Sequence, residues 1–192
     1  MPVDLDGTQQ ACNALAAEAT RVLGGRIDIL VNNAGIYPGD GNDTRTTGEA
    51  TFDQAYAVNV KSPYFLTAAV VPAMIDAGGG VIINLGSWVA RLGVPVGALY
   101  SSTKGAVETL TRAWAAEFGQ SGVRVNAISP GVVHEPVPPA AGAFPGDVMM
   151  HGTPAGTHGT PAPSPPPLCT WPATRPRSCT ALSSTSTAAA PA

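Results

Sequence analysis

Three short apolar runs, separated by helix-length sequence, constrain this chain more than any other feature. They are Ile27-Asp28-Ile29-Leu30-Val31, Val81-Ile82-Ile83-Asn84-Leu85 and Val123-Arg124-Val125-Asn126-Ala127-Ile128. Brief runs this rich in Val and Ile read as buried strands. Thr51 to Ile75 between the first two has helical character, with an interruption expected near Ser62-Pro63. Ser101 to Phe118 between the second pair places Val107, Leu110, Trp114 and Phe118 on one helical stripe. Gln9 to Leu23 ahead of the first strand does the same with Ala11, Leu15, Ala19 and Val22. Strands joined through helices make right-handed crossovers, so they lie parallel in a sheet covered on both faces. The expected fold class is α/β, a doubly wound parallel sheet.

The punctuation agrees. Gly24-Gly25 ends the first helix, Gly78-Gly79-Gly80 precedes the second strand, and Pro130-Gly131 closes the third. Only 12% of residues are charged and the formal net charge is −3, which does not point to nucleic acid or an anionic membrane as partner. Cys12, Cys169 and Cys179 lack disulfide or metal-ligand spacing, consistent with a reducing cytoplasm. No secretory signal is visible, and no apolar run approaches membrane-spanning length. His134, His151 and His158 fall in irregular sequence and read as solvated, with no metal site expected.

Several polar signals sit at the strand ends in a fixed order. Asn32-Asn33-Ala34-Gly35 follows the first strand, Ser87 lies just past the second, and Tyr100-Ser101-Ser102-Thr103-Lys104 opens the next helix. Tyrosine's ordinary pKa of about 10 is high for acid–base work near neutrality. Lys104 shares a helical face with Tyr100, so its ammonium is expected to favour the phenolate. Taken singly, Tyr and Lys at this spacing are an ordinary helical pair, Ser87 a capping residue and Asn32-Asn33 a turn. Their order gives them meaning.

NNAG after a strand, then serine, YxxxK, and a strand ending in PG resembles the short-chain dehydrogenase/reductase family, from about Met1 to Pro130-Gly131. The resemblance implies an NAD- or NADP-dependent oxidoreductase that interconverts an alcohol and a ketone on a small-molecule substrate. It implies Ser87, Tyr100, Lys104 and Asn59 as the catalytic set, with Asn59 supporting a water relay to the lysine. It assigns Asp4, Asn32, Asn33, Ala34, Gly35, Tyr100, Lys104, Pro130 and Gly131 to the cofactor, Asp4 at the adenine. It further implies association into a homo-oligomer through the YxxxK helix and the one before it.

The chain also departs from the family pattern. It begins at what looks like the third strand, so the sheet is expected to lack its first βαβ unit and the TGxxxGxG phosphate loop. Val133-His134-Glu135 stands where many members carry a threonine for the carboxamide. Three segments are expected: a partial NAD(P)-binding domain over 1–135, an irregular substrate-side loop over 136–160, and a low-complexity tail over 161–192. In that tail, allowed codons for Pro167 to Arg175 read two bases later spell Val-Val-Tyr-Leu-Ala-Gly-Asp-Glu. The continuation permits a string ending Val-Asp-Val-Asp-Gly-Gly, like the family's last strand, which suggests a frameshift near Pro161 to Pro163. The competing reading is an inactive remnant that serves at most as a protein-interaction module.

Overall fold

Helix α1, Gln9–Val22, starts where a short polar relay satisfies its free amides. Asp6 Oδ1 accepts from the Thr8 amide at 2.8 Å, and Thr8 Oγ1 caps the Ala11 amide at 3.3 Å. In the computed structural model, residues 5–39, 43–93, 97–134, 145–151, 156–160 and 183–184 are described. Strand β1 is Ile29–Asn32, β2 is Gly80–Leu85 and β3 is Val123–Ile128. All pair in parallel in that spatial order, with Leu30 beside Ile82 and Ile82 beside Val125. The α/β class and parallel sheet are as expected.

A two-residue strand β4, Ser183–Ser184, lies parallel to Ala127–Ile128. The sequence of the tail carries no strand periodicity, so this pairing was not legible there. The rest of 161–192 lies outside the described residues, as does the proposed frame shift.

Helices α2, Glu49–Tyr56, and α3, Ser62–Asp76, are not separated by a break. A π turn over Ala57–Lys61 joins them into one run. The expected interruption at Ser62-Pro63 is therefore a change of hydrogen-bond register. Pro63 occupies the first turn of α3, where its missing N–H costs least, and Ser62 Oγ donates to the Ala57 carbonyl at 2.9 Å. The joined run, Glu49–Asp76, is long and apolar enough by length and composition to cross a membrane, contrary to the expectation that no segment approached that length. Val70, Val71 and Met74 of this run are buried in the core instead.

Helix α4, Ala98–Phe118, leads into β3 through Gly122, whose positive φ of 84° favours glycine. One core joins Ala16 of α1, Val70, Val71 and Met74 of α3, Trp114 and Ala115 of α4, and Ile82, Val123 and Val125 of the sheet. Leu30 packs against the same cluster. These strand residues share one sheet face by register and alternation. On the other face Ile29 and Val31 remain 60% and 43% exposed. The expectation that both faces are covered therefore fails at β1 among the described residues: α1, α3 and α4 share the same core.

Candidate active site

Parallel strands bring their carboxyl ends to one edge, so the residues after β1, β2 and β3 converge. Asn33, Ala34 and Gly35 emerge exposed after β1. The alignment of β2 and β3 continues past both strands: the Gly86 amide donates to the Ile128 carbonyl at 2.8 Å and the Trp88 amide to Pro130 at 3.1 Å. This holds Ser87, buried and extended, beside Pro130-Gly131. A Cβ at Gly131 would rest 3.7 Å from the Trp88 ring, so that ring is part of the same wall.

The first turns of α4 present Tyr100 and Lys104 to this edge. Tyr100 is hydrogen-bonded to Ser87 and meets Tyr37 edge-on, with ring centroids 5.1 Å apart. Lys104 is only 6% exposed; its Nζ donates to the Leu85 carbonyl at 2.8 Å and stands 5.7 Å from the Tyr100 ring centroid. Burial pushes the Tyr100 phenol above its ordinary range, although the hydrogen bond to Ser87 pulls the other way. Burial likewise lowers the Lys104 ammonium. The Lys104 ammonium is turned to a backbone carbonyl, and the influences on the Tyr100 phenol are its burial, Ser87 and Tyr37.

Asn59 lies on the π turn and is 1% exposed. Its Oδ1 accepts from the Ile36 amide at 2.7 Å, while Nδ2 donates to the Ile36 carbonyl at 2.9 Å and to Thr103 Oγ1 at 3.1 Å. Thr103 in turn donates to the Tyr100 carbonyl at 2.8 Å. One amide therefore fixes the loop after NNAG to the helix carrying Tyr100. A Cβ at Gly35 would come within 3.4 Å of both Asn59 Oδ1 and Lys104 Nζ. That open position leaves a cradle where a planar ring and its ribose can approach the lysine, so the residues present fit the nicotinamide half of a dinucleotide.

Asn32 differs from its neighbours. It is buried on the helix-covered face, and its Nδ2 donates to Asn84 Oδ1 at 2.8 Å and Thr67 Oγ1 at 3.3 Å. Asn84 Nδ2 continues to Thr111 Oγ1 at 2.8 Å. This chain of amides ties β1 and β2 to α3 and α4 beneath the site. Asp4 lies outside the described residues.

Sequence reasoning missed several groups. Tyr37 carried no motif. Glu108, 4% exposed, accepts from Ser129 Oγ at 2.5 Å and pairs with Arg91 at 2.8 Å, bracing α4 against the end of β3. Its position four residues after Lys104 was the available signal. His134 and His158, expected to be solvated, are half-buried and both lie 3.0 Å from Asp147 Oδ1. Nothing in their spacing announced this, because two irregular segments bring them together.

The fold is an α/β domain whose Ser87, Tyr100, Lys104 and Asn59 gather where the parallel strands end. The sequence pattern described as short chain dehydrogenase matches residues 1–141, and the chain belongs to that family. An uncharacterized oxidoreductase of Thermotoga maritima is 48% identical over 107 residues, 56% of this chain and 42% of its own length. Galactitol 2-dehydrogenase (L-tagatose-forming) of Cereibacter sphaeroides is 43% identical over 126 residues, covering 65% of this chain and 48% of that one. Among solved structures, a gluconate 5-dehydrogenase from Burkholderia cenocepacia J2315 in complex with NADP and tartrate matches with a TM-score of 0.70 at 30% identity. That match covers 82% of this chain and 61% of the other. A metagenomic short-chain oxidoreductase in complex with NADP matches with a TM-score of 0.62 at 38% identity, over 70% and 60% of the two chains. The chain spans about half the length of the curated relatives it matches.

Proposed function

We propose that this chain carries the catalytic half of an NAD(P)-dependent oxidoreductase that interconverts a small-molecule alcohol and its ketone. The observation that supports this best is the convergence of Tyr100, Ser87, Lys104 and the Asn59-braced Gly35 loop on one edge of the sheet. Relatives named as dehydrogenases and neighbours with bound NADP point the same way.

When bound, the nicotinamide supplies or receives the hydride. Ser87 Oγ orients the substrate oxygen by hydrogen bonding. Tyr100 Oη gives that oxygen its proton in reduction and takes it back in oxidation. Protonated phenol is the form needed for the first direction, and burial favours it. Lys104 Nζ, now on the Leu85 carbonyl, is the group that would hold the nicotinamide ribose. In oxidation, its charge and that of the ring would both favour the phenolate. Asn59 is a positioning residue: its amide is engaged with Ile36 and Thr103, so it shapes the loop and helix around the lysine. Asn33, Ala34, Gly35, Pro130 and Gly131 would form the walls, and Asn32 supports them from below.

Association into a homo-oligomer is part of the same reading. Val60, Tyr64 and Phe65 line an apolar groove with Ala106 and Leu110, along α4 and the run before it. Tyr64 is 47% exposed there.

The test is turnover of NADPH or NADH with a panel of ketones, beside Tyr100→Phe. Loss of Oη removes the proton donor and should lower kcat/KM by at least about 100-fold, the usual scale of general acid catalysis. Equal rates in the two proteins would sink the assignment.

A further inference from the structure

Two segments without regular strands or long helices meet beyond the end of β3. The Gly159 amide donates to the Val132 carbonyl at 2.8 Å, and the His134 amide donates to the Gly159 carbonyl at 3.2 Å. Val133 and Gly159 thereby form an isolated parallel bridge. A short 3-10 turn over Pro145–Met150 packs Met149 and Met150 against Trp88 and Val89, in a cluster that also includes Tyr100. Three side chains close this junction. His134 Nε2 and His158 Nδ1 each lie 3.0 Å from the same oxygen, Asp147 Oδ1. Their rings stack with centroids 3.9 Å apart and planes tilted by 31°.

We infer that His134, Asp147 and His158 form a binding site for a divalent transition metal ion of the zinc type. All three ligand atoms lie within 4.8 Å of one another. Imidazole nitrogen and carboxylate oxygen bind zinc at about 2.0–2.2 Å, which places neighbouring ligand atoms roughly 3.3 Å apart in a tetrahedron. The nitrogen-to-oxygen separations of 3.0 Å need to open by a few tenths of an ångström, and the two imidazole nitrogens, within 4.8 Å of one another, need to settle at the same spacing. The donor set also selects the ion. Two imidazoles suit zinc, cobalt and nickel, whereas magnesium and calcium prefer oxygen donors throughout. Asp147 supplies the carboxylate oxygen that both imidazoles already face.

Two neutral imidazoles and one carboxylate leave at least one coordination position for water. The ion would replace hydrogen bonds that converge on a single oxygen and would tie three pieces of chain together. Asp147 sits on the turn whose methionines pack beside Trp88 and Tyr100. Binding therefore fastens the segment that walls the tyrosine side of the site. This role is structural and does not depend on the chain's redox activity.

The test uses the full chain, freed of metal with a chelator and titrated with Co²⁺ and Zn²⁺. The expected result is one Co²⁺ per chain, with visible d–d absorption and no sulfur-to-cobalt charge-transfer band. Saturating Zn²⁺ should raise Tm by at least about 3 °C, as for any ligand that binds only the folded state. His134→Ala and Asp147→Asn should each weaken binding by at least about 10-fold, while His151→Ala should leave it unchanged. His158→Gln, which leaves the backbone pairing of Gly159 with Val132 and His134 available, gives a second reading should His134→Ala fail to fold. No saturable binding, a charge-transfer band from cysteine, or wild-type affinity in Asp147→Asn and His158→Gln would each overturn the inference.

Discussion

Lys104 is held where solvation does not favour it. Its stem and ammonium are almost wholly enclosed, its pKa is lowered by burial, and the hydrogen bond to the Leu85 carbonyl compensates only in part. Lys104→Met should therefore leave Tm unchanged or raise it, while removing the group assigned to the ribose and lowering kcat/KM by at least about 100-fold. Thermal melting together with steady-state kinetics checks both halves. A loss of stability with activity intact would contradict this account. Tyr100 gives a second expectation. Its folded-state pKa is raised above the unfolded value of about 10, so its stabilising contribution is complete below that pH and fades as pH rises further. The Tm advantage of wild type over Tyr100→Phe should shrink above about pH 10, as melts across an alkaline series would show. The spacing of Tyr100, Lys104 and Ser87 made their convergence legible in the sequence. Where the ammonium points, and the edge-on contact from Tyr37, depended on packing that no local pattern encodes.

At the scale of elements, the π turn at Ala57–Lys61 decides where Asn59 sits. Such turns insert one residue into a helix and often occur at functional sites. Here the insertion carries Asn59 to the Ile36 backbone and to Thr103. Asn59→Ala would strip partners from buried polar groups and should cost about 1–3 kcal/mol of stability in urea unfolding. Unfolding at the wild-type midpoint would count against the bracing role. The turn before β3 offers a backbone counterpart. A Cβ at Gly122 would stand 2.5 Å from the Gly78 carbonyl oxygen at a φ of 84°, so Gly122→Ala should destabilise by more than about 1 kcal/mol. The strands and the long helices were visible from apolar runs and helical stripes. The joined α2–α3 run was not, because Ser62-Pro63 looks the same in a helix break and in the first turn after a register shift.

At the scale of the molecule, one sheet face is buried by helices, and among the described residues the other is exposed at β1 but buried at Ile83 and Ile128. Ala16, Met74, Trp114 and their neighbours bury the first face, while Ile29 and Val31 at β1 stay exposed on the second. Helix-bearing crossovers normally cover both faces of a parallel sheet, which is why the sequence pattern led to that expectation. Ile29→Thr with Val31→Thr should lower binding of a hydrophobic dye while changing stability by less than about 1 kcal/mol. A large loss of stability would mean that this face is packed. At the edge where β1, β2 and β3 end, the tyrosine, lysine, serine and the braced glycine loop converge. The central assignment of this edge, a seat for the nicotinamide end of a dinucleotide, is tested most directly by saturation-transfer NMR of NADPH with the wild-type chain. The nicotinamide protons should receive the strongest transfer, and replacing Gly35 with valine, which fills the space beside Lys104 and Asn59, should abolish it. Absence of transfer, or transfer confined to the adenine and unchanged in Gly35→Val, would contradict it.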